Sequence, residues 1–125
     1  MDFIRRDEIG EYANPGVTSR QLLHPGNAPS ARVTITRVTL EPGAVNSRHS
    51  HSGSEQTWIA LEGSGEILLA NDASTPFTEG DVARFAPGDV HGLRNTGAVP
   101  FVYIAVTSPP LDFRGAYQSH SARTR

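Results

Sequence analysis

The sequence contains no cysteine. That excludes disulfides and thiolate metal ligands, and it fits a reducing compartment, so a cytoplasmic location is expected. No apolar run is long enough to span a bilayer. The first residues, Met1-Asp2-Phe3-Ile4-Arg5-Arg6-Asp7-Glu8, lack the apolar stretch and small-residue cleavage site of a secretory signal. Net charge is only −2, with both signs spread along the chain and no basic stripe, so nothing offers nucleic acid an electrostatic footprint. Hydrophobic residues make up 37%, against 12 glycines and 9 prolines, a balance that favours turns and short strands over a helical bundle. A chain of 125 residues has room for one domain and one core.

Short apolar or alternating stretches recur between turn signals. Val17–Leu23 stops at His24-Pro25-Gly26-Asn27, and the β-branched run Val33–Leu40 stops at Glu41-Pro42-Gly43. Gln56–Leu61, Gly65–Ala70, Asp81–Phe85, His91–Arg94 and Phe101–Thr107 follow in the same style. Strands of this length and spacing predict an all-β sandwich or barrel. Leu111–Tyr117 alone has helical potential, and Gln118–Arg125 reads as a polar, frayed tail.

His49 and His51 form an H-x-H pair, and His91 opens a later strand-like segment. Residues i and i+2 of a strand share a face, so the two imidazoles can converge on one point. A single histidine on a strand is more often hydrogen-bonded structure than a ligand. Three at these spacings, followed by Glu55-Gln56, point to one metal ion.

The surrounding pattern resembles the two motifs of the cupin superfamily. The first, G-x5-H-x-H-x(3–4)-E-x6-G, runs here through Gly43, His49, His51, Glu55-Gln56 and Gly63. The second, G-x5-P-x-G-x2-H-x3-N, runs through Gly80, Pro87, Gly88, His91 and Asn95, with the proline shifted by one place and Ala86 in its position. The resemblance implies a single-domain jelly-roll β-barrel, a double-stranded β-helix, over 31–113. It implies an N-terminal strand or arm over 1–30, packed on the barrel or on a partner, and a partly disordered helical or irregular tail over 114–125. It also implies a homodimer, to which Phe3 and Ile4 could contribute by crossing to the partner; the alternative is that they cover a sheet edge of their own chain.

The expected metal ligands are His49, His51, His91 and Gln56. Four residues lie between His51 and Gln56 and six between Gln56 and Gly63, which favours Gln56 over Glu55. Adjacent strand residues face opposite sides, and a local bulge would reverse the choice. Three imidazoles and an amide leave a divalent ion at a net +2, a stronger Lewis acid than the +1 site a carboxylate would make. One divalent transition metal per chain is expected, and imidazole and oxygen donors suit Zn, Fe, Ni, Co or Mn.

These features imply a metal-dependent enzyme acting on a small carboxylate-, enol- or sugar-like molecule, of Lewis-acid isomerase, cyclase or lyase type. An iron or manganese dioxygenase and a non-catalytic small-molecule-binding module are the alternatives. The general base is unassigned; Glu55 and Tyr103 are weak candidates. Small uronate-linearising cupins are similar in their H-x-H-x4-Q spacing. The acid expected in their last strand is missing from Phe101–Val106, and no arginine precedes Arg114 in the closing segment, so that activity does not carry over. Arg37, Arg84 and Arg94 are read as outward-facing, Trp58 as core, and His24 and His120 as outside the site.

Overall fold

The computed structural model describes residues 1–29, 32–117 and 119–121. In chain order the strands are β1 (Glu11–Asn14), β2 (Val17–Leu23), β3 (Thr34–Leu40), β4 (Val45–His49), β5 (Glu55–Glu62) and β6 (Ser64–Leu68). They continue with β7 (Ser74–Thr78), β8 (Val82–Phe85), β9 (His91–Asn95), β10 (Phe101–Ser108) and β11 (Ser119–Ser121). One sheet has the order β11-β1-β2-β3-β10-β5-β8 and the other β4-β9-β6-β7. All pairings are antiparallel, and the two sheets form a jelly-roll β-barrel: all-β as the strand pattern predicts, and of the form the motif resemblance implies.

Alternation decides what fills the barrel. Thr34, Thr36, Val38 and Leu40 of β3 point inward, as do Gln56, Trp58 and Ala60 of β5 and Phe101, Tyr103, Ala105 and Thr107 of β10. Trp58, only 1% exposed, packs against Phe77, Phe85 and Tyr103 and centres the core. Arg37, Arg84 and Arg94 all lie on the outside, as expected.

The structure adds strands that the sequence pattern left out. Pro76 interrupts the signal of β7, but β7 is an edge strand, where a missing N–H costs no ladder bond. Polar β11 pairs with β1, Tyr12 facing His120 in register, so this part of the expected frayed tail is tied by backbone hydrogen bonds. Gln118 and residues 122–125 lie outside the described residues. The helical expectation for Leu111–Tyr117 reduces to one 3-10 turn, Arg114–Ala116, because Pro109, Pro110 and Gly115 leave too few consecutive residues to propagate a helix. β1 and β2 extend the larger sheet of their own chain, and Phe3 is 66% exposed with the Arg5 guanidinium over its ring.

Candidate metal centre

The site begins with an irregularity in β4. Asn46 pairs with Leu93 of β9, but the next matched pair is His49 with His91. Three steps along β4 thus match two along β9, so β4 carries one extra residue, a β-bulge. Without it, residues three apart would face opposite sides. With it, Asn46 and His49 both face the interior, and His49 sits directly opposite His91. Gly92 on β9 permits this. A Cβ there would lie 2.7 Å from the Asn46 carbonyl oxygen, 2.9 Å from the Arg48 nitrogen and 3.0 Å from the Ser47 carbonyl carbon. Beyond β4 the Gly88 N–H donates to the carbonyl of His51 at 2.8 Å, which ties the second motif to the first. Gly88 makes this turn with φ at +88°, a region few side chains tolerate.

The three imidazoles come together. Their ligand-capable nitrogens lie within 4.8 Å of one another, and ring centroids are 4.4 to 5.2 Å apart. Each of two rings is oriented by a backbone carbonyl: His49 Nδ1 bonds to the Ser47 oxygen at 2.7 Å, and His91 Nδ1 to the Asp89 oxygen at 2.9 Å. A carbonyl only accepts, so both Nδ1 atoms carry the proton and both Nε2 atoms present a lone pair. The Nε2 atoms of His51 and His91 are buried without any protein partner among the described residues. A buried polar nitrogen left unpaired is costly, and a shared metal ion satisfies both. The donor set fits such an ion.

His91 is held in place by Phe85, stacked at 4.5 Å, and by Trp58, edge-on at 5.4 Å. Burial, then the neighbouring His49, pushes the His91 pKa down to about 4, and the same two causes lower that of His51. Both rings are therefore neutral at pH 7, the form that ligates metals.

Gln56 and Glu55 part company as strand alternation requires. The Gln56 side chain is buried in the wall of the cavity beside the histidines. The Trp58 indole N–H donates to its Oε1 at 2.8 Å, and its Nε2 donates to the Thr107 hydroxyl at 2.8 Å. Glu55 lies on the outer surface, ion-paired with Arg84. As a base, then, Glu55 is on the wrong side of the sheet. Tyr103 is inside, but burial raises its phenol pKa above the ordinary value, so it is protonated at neutral pH. Neither weak candidate for the general base survives.

The cavity has a volume of about 310 Å³. Besides the His49, His51 and Gln56 side chains it is walled by Thr36, Asn46, Trp58 and Tyr103, and by Phe113, Ala116 and Tyr117 of the closing segment. Among the described residues no Asp, Glu, Lys or Arg lines it. Sequence reasoning missed Thr36 and Asn46; the inward alternation of V-T-I-T-R-V-T-L marks Thr36, whereas Asn46 depends on the bulge. Trp58, expected as core, both fills the core and walls the cavity. The closing segment is fastened by Asn14, whose amide donates to the Ala116 carbonyl, and by Gln21, whose Oε1 accepts from the Phe113 N–H. His24 belongs to a loop, its Nδ1 accepting from the Gly26 N–H. The backbone places His120 in β11, the edge strand beside β1.

Residues 36–107 match the family description of the cupin domain. The chain belongs to the cupin family. An uncharacterized protein of Methanocaldococcus jannaschii is 29% identical to this cupin over 105 residues, 83% of each chain. Other curated relatives are longer, and the chain spans between 16% and 38% of their length. Among solved structures, a predicted oxalate decarboxylase of Thermotoga maritima superposes with a TM-score of 0.73 at 26% identity, covering 85% of this chain and 97% of that one. KdgF from Halomonas sp. superposes with a TM-score of 0.74 at 20% identity, covering 90% and 96%, a likeness of fold. Asn95, the last residue of the second motif, is architectural in this cupin: its amide donates to the Leu40 and Val99 carbonyls and its Oδ1 accepts from the Gly97 N–H.

Proposed function

We propose that this cupin holds one divalent transition metal ion through His49, His51, His91 and Gln56, and that it acts on a small oxygen-bearing molecule in the adjoining cavity. The observation that carries this reading is the convergence of three imidazoles, two of whose Nε2 atoms are buried with no partner among the described residues. A bound metal supplies Lewis acidity to a coordinated carbonyl, enol or carboxylate oxygen.

The chain's own residues would do the rest. The Ser47 and Asp89 carbonyls fix the ring orientations of His49 and His91. Trp58 and Thr107 orient the Gln56 amide. Phe113, edge-on to the His51 ring at 5.7 Å, and Tyr117 would cover the ligand with aromatic surface. A neutral donor set keeps the site at a net +2 and favours isomerase, cyclase or lyase chemistry over a change of oxidation state. The fold likeness to enzymes of several kinds does not choose among these.

A second reading, a binding module without turnover, is favoured by one observation: among the described residues no carboxylate or amine lines the cavity to move a proton. The sequence has no lysine at all, which removes amine-based covalent chemistry from both readings.

The proposal includes a homodimer. The outer face of the larger sheet carries the cross-strand row Val82, Ile59 and Ile104, and Val82 is 65% and neighbouring Leu61 43% exposed, an apolar surface of the kind oligomers cover.

Elemental analysis of wild type, Gln56→Ala, Glu55→Ala and His91→Ala tests the metal shell. About one metal per chain is expected in wild type and Glu55→Ala, with loss in Gln56→Ala and His91→Ala. A wild type that refuses added Zn, Fe, Ni and Mn overturns the reading.

A further inference from the structure

Two buried hydroxyls on the wall opposite the histidines have bonding capacity that the protein does not use. Thr36, 3% exposed, has its Oγ1 buried with no hydrogen-bond partner among the described residues. Tyr103, 2% exposed, accepts through its phenol oxygen from the Asn46 amide at 3.2 Å. That bond occupies a lone pair and leaves the phenol proton to find its own acceptor, and none is present among the described residues. Both side chains line the cavity. They come from neighbouring strands: Thr36 pairs with Ala105 of β10, and Tyr103 is two residues along on the same face, a diagonal neighbour across the small Ala105. Asn46 crosses from the smaller sheet to reach Tyr103, so the same strand that ends in His49 also sets the angle of the phenol.

A buried hydroxyl without a partner is costly in a finished core. Two side by side, aimed into one cavity, mark a place for a ligand oxygen. The chemistry of that oxygen is constrained by what is missing. Among the described residues no cation lines the cavity, so a second carboxylate placed here would be a buried, unpaired charge. An uncharged hydroxyl or ketone can instead accept from Tyr103 and exchange a hydrogen bond with Thr36.

We infer that Thr36 and Tyr103 form a second recognition point of the cavity, which binds an uncharged hydroxyl or keto oxygen of a small carboxylic acid whose carboxylate lies at the histidine end. The inference deepens the metal-site reading and rests on it for the position of the carboxylate. Thr36 and Tyr103 are specificity-determining residues for hydroxy and keto acids against dicarboxylates.

The test uses zinc-loaded full-length protein and three probe series of two to six carbons: ω-hydroxy acids, the unsubstituted acids and the dicarboxylates. Titration calorimetry of wild type is expected to show, at the best-fitting length, a preference of about tenfold for the hydroxy acid over both others, the worth of one net hydrogen bond. Thr36→Val and Tyr103→Phe should each erase most of that preference and leave zinc content unchanged. Equal binding of hydroxy acid and dicarboxylate at every length, or a preference intact in both variants, overturns the inference. Metal-free protein separates this idea from the metal reading. There Thr36→Val should melt at or above wild type, because its hydroxyl has no protein partner to lose. A lower melting temperature shows a structural role and sinks the inference. Wild type that takes up none of Zn, Fe, Ni and Mn sinks the metal reading and leaves the melting comparison standing as the test of the hydroxyl pair.

Discussion

Replacing Gly92 with alanine should damage the histidine cluster from a position that touches none of its ligand atoms. The new Cβ would meet the Asn46 oxygen at 2.7 Å, where ordinary contact begins at 3.4 Å, so β4 must retreat by about 0.7 Å (3.4 − 2.7). The Ser47 and Arg48 backbones are crowded too, at 3.0 and 2.9 Å, so no single rotation relieves the clash. Overpacking of this kind costs about 1–3 kcal/mol, offset by roughly 0.4–1 kcal/mol from the stiffer unfolded chain. A net loss of about 1–2 kcal/mol remains, or several degrees in Tm for a chain of this size. Metal–ligand distances tolerate only about 0.2 Å, and the retreating segment carries Ser47, whose carbonyl orients His49. Metal affinity should therefore fall by about 10–100-fold, as when an outer support of a ligand is removed. Urea unfolding followed by circular dichroism measures the first effect, and competition with a chelator the second. Gly53→Ala is the control: nothing lies within 4 Å of its added Cβ, and neither quantity should drop. If Gly92→Ala matches wild type in both, the bulge does not place His49 and the account of the site's origin is wrong.

Lowering pH should weaken the metal-free fold. Unfolded, His91 takes up a proton near its usual 6.5; folded, it stays neutral down to about 4, so between these values the unfolded chain binds more protons. Stability is then fully present above pH 6.5 and falls by on the order of 2 kcal/mol toward pH 4, after allowing for screening at the cavity mouth. Denaturation midpoints of metal-free protein across that range check it, and a flat profile refutes it. Trp58→Phe removes the donor to Gln56 and should cost about 1–3 kcal/mol and lower metal affinity; unchanged chelator competition would show that the amide needs no such support. Glu55→Ala loses only an exposed ion pair and should change stability by less than about 1 kcal/mol in thermal melts. Leu61→Asp should convert a dimer to monomer in light scattering, whereas a wild type already monomeric removes that part of the proposal.

The barrel and its histidines are legible in the sequence for different reasons. Strands such as Val33–Leu40 announce themselves by β-branched alternation, because a pleated sheet sorts side chains two by two. His49, His51, His91 and Asn95 are legible through spacing against Gly43, Gly63, Gly80 and Gly88, since turns of fixed length set those intervals. The same alternation separates Gln56 from Glu55 by simple counting. The bulge in β4 left no mark in β4 itself; its trace is Gly92 on the facing strand, which means nothing until the pairing is known. Thr36 reads as an ordinary strand residue, and Tyr103 stands out only as a candidate base, because alternation reports that a side chain is inside, not whether it is satisfied there. Polar β11 could not be found locally, since its stability comes from β1, more than a hundred residues away in the chain.

The contact between Trp58 and Gln56 has an optical consequence. The chain contains one tryptophan, and its indole N–H is bonded to the amide beside the histidines while its ring meets His91 edge-on. All tryptophan emission therefore originates at this one spot, shielded from solvent. Ions with open d-shells quench at such range where zinc does not. Occupancy of the centre, and the electronic class of whatever occupies it, can thus be followed by the intrinsic fluorescence of the unlabelled protein.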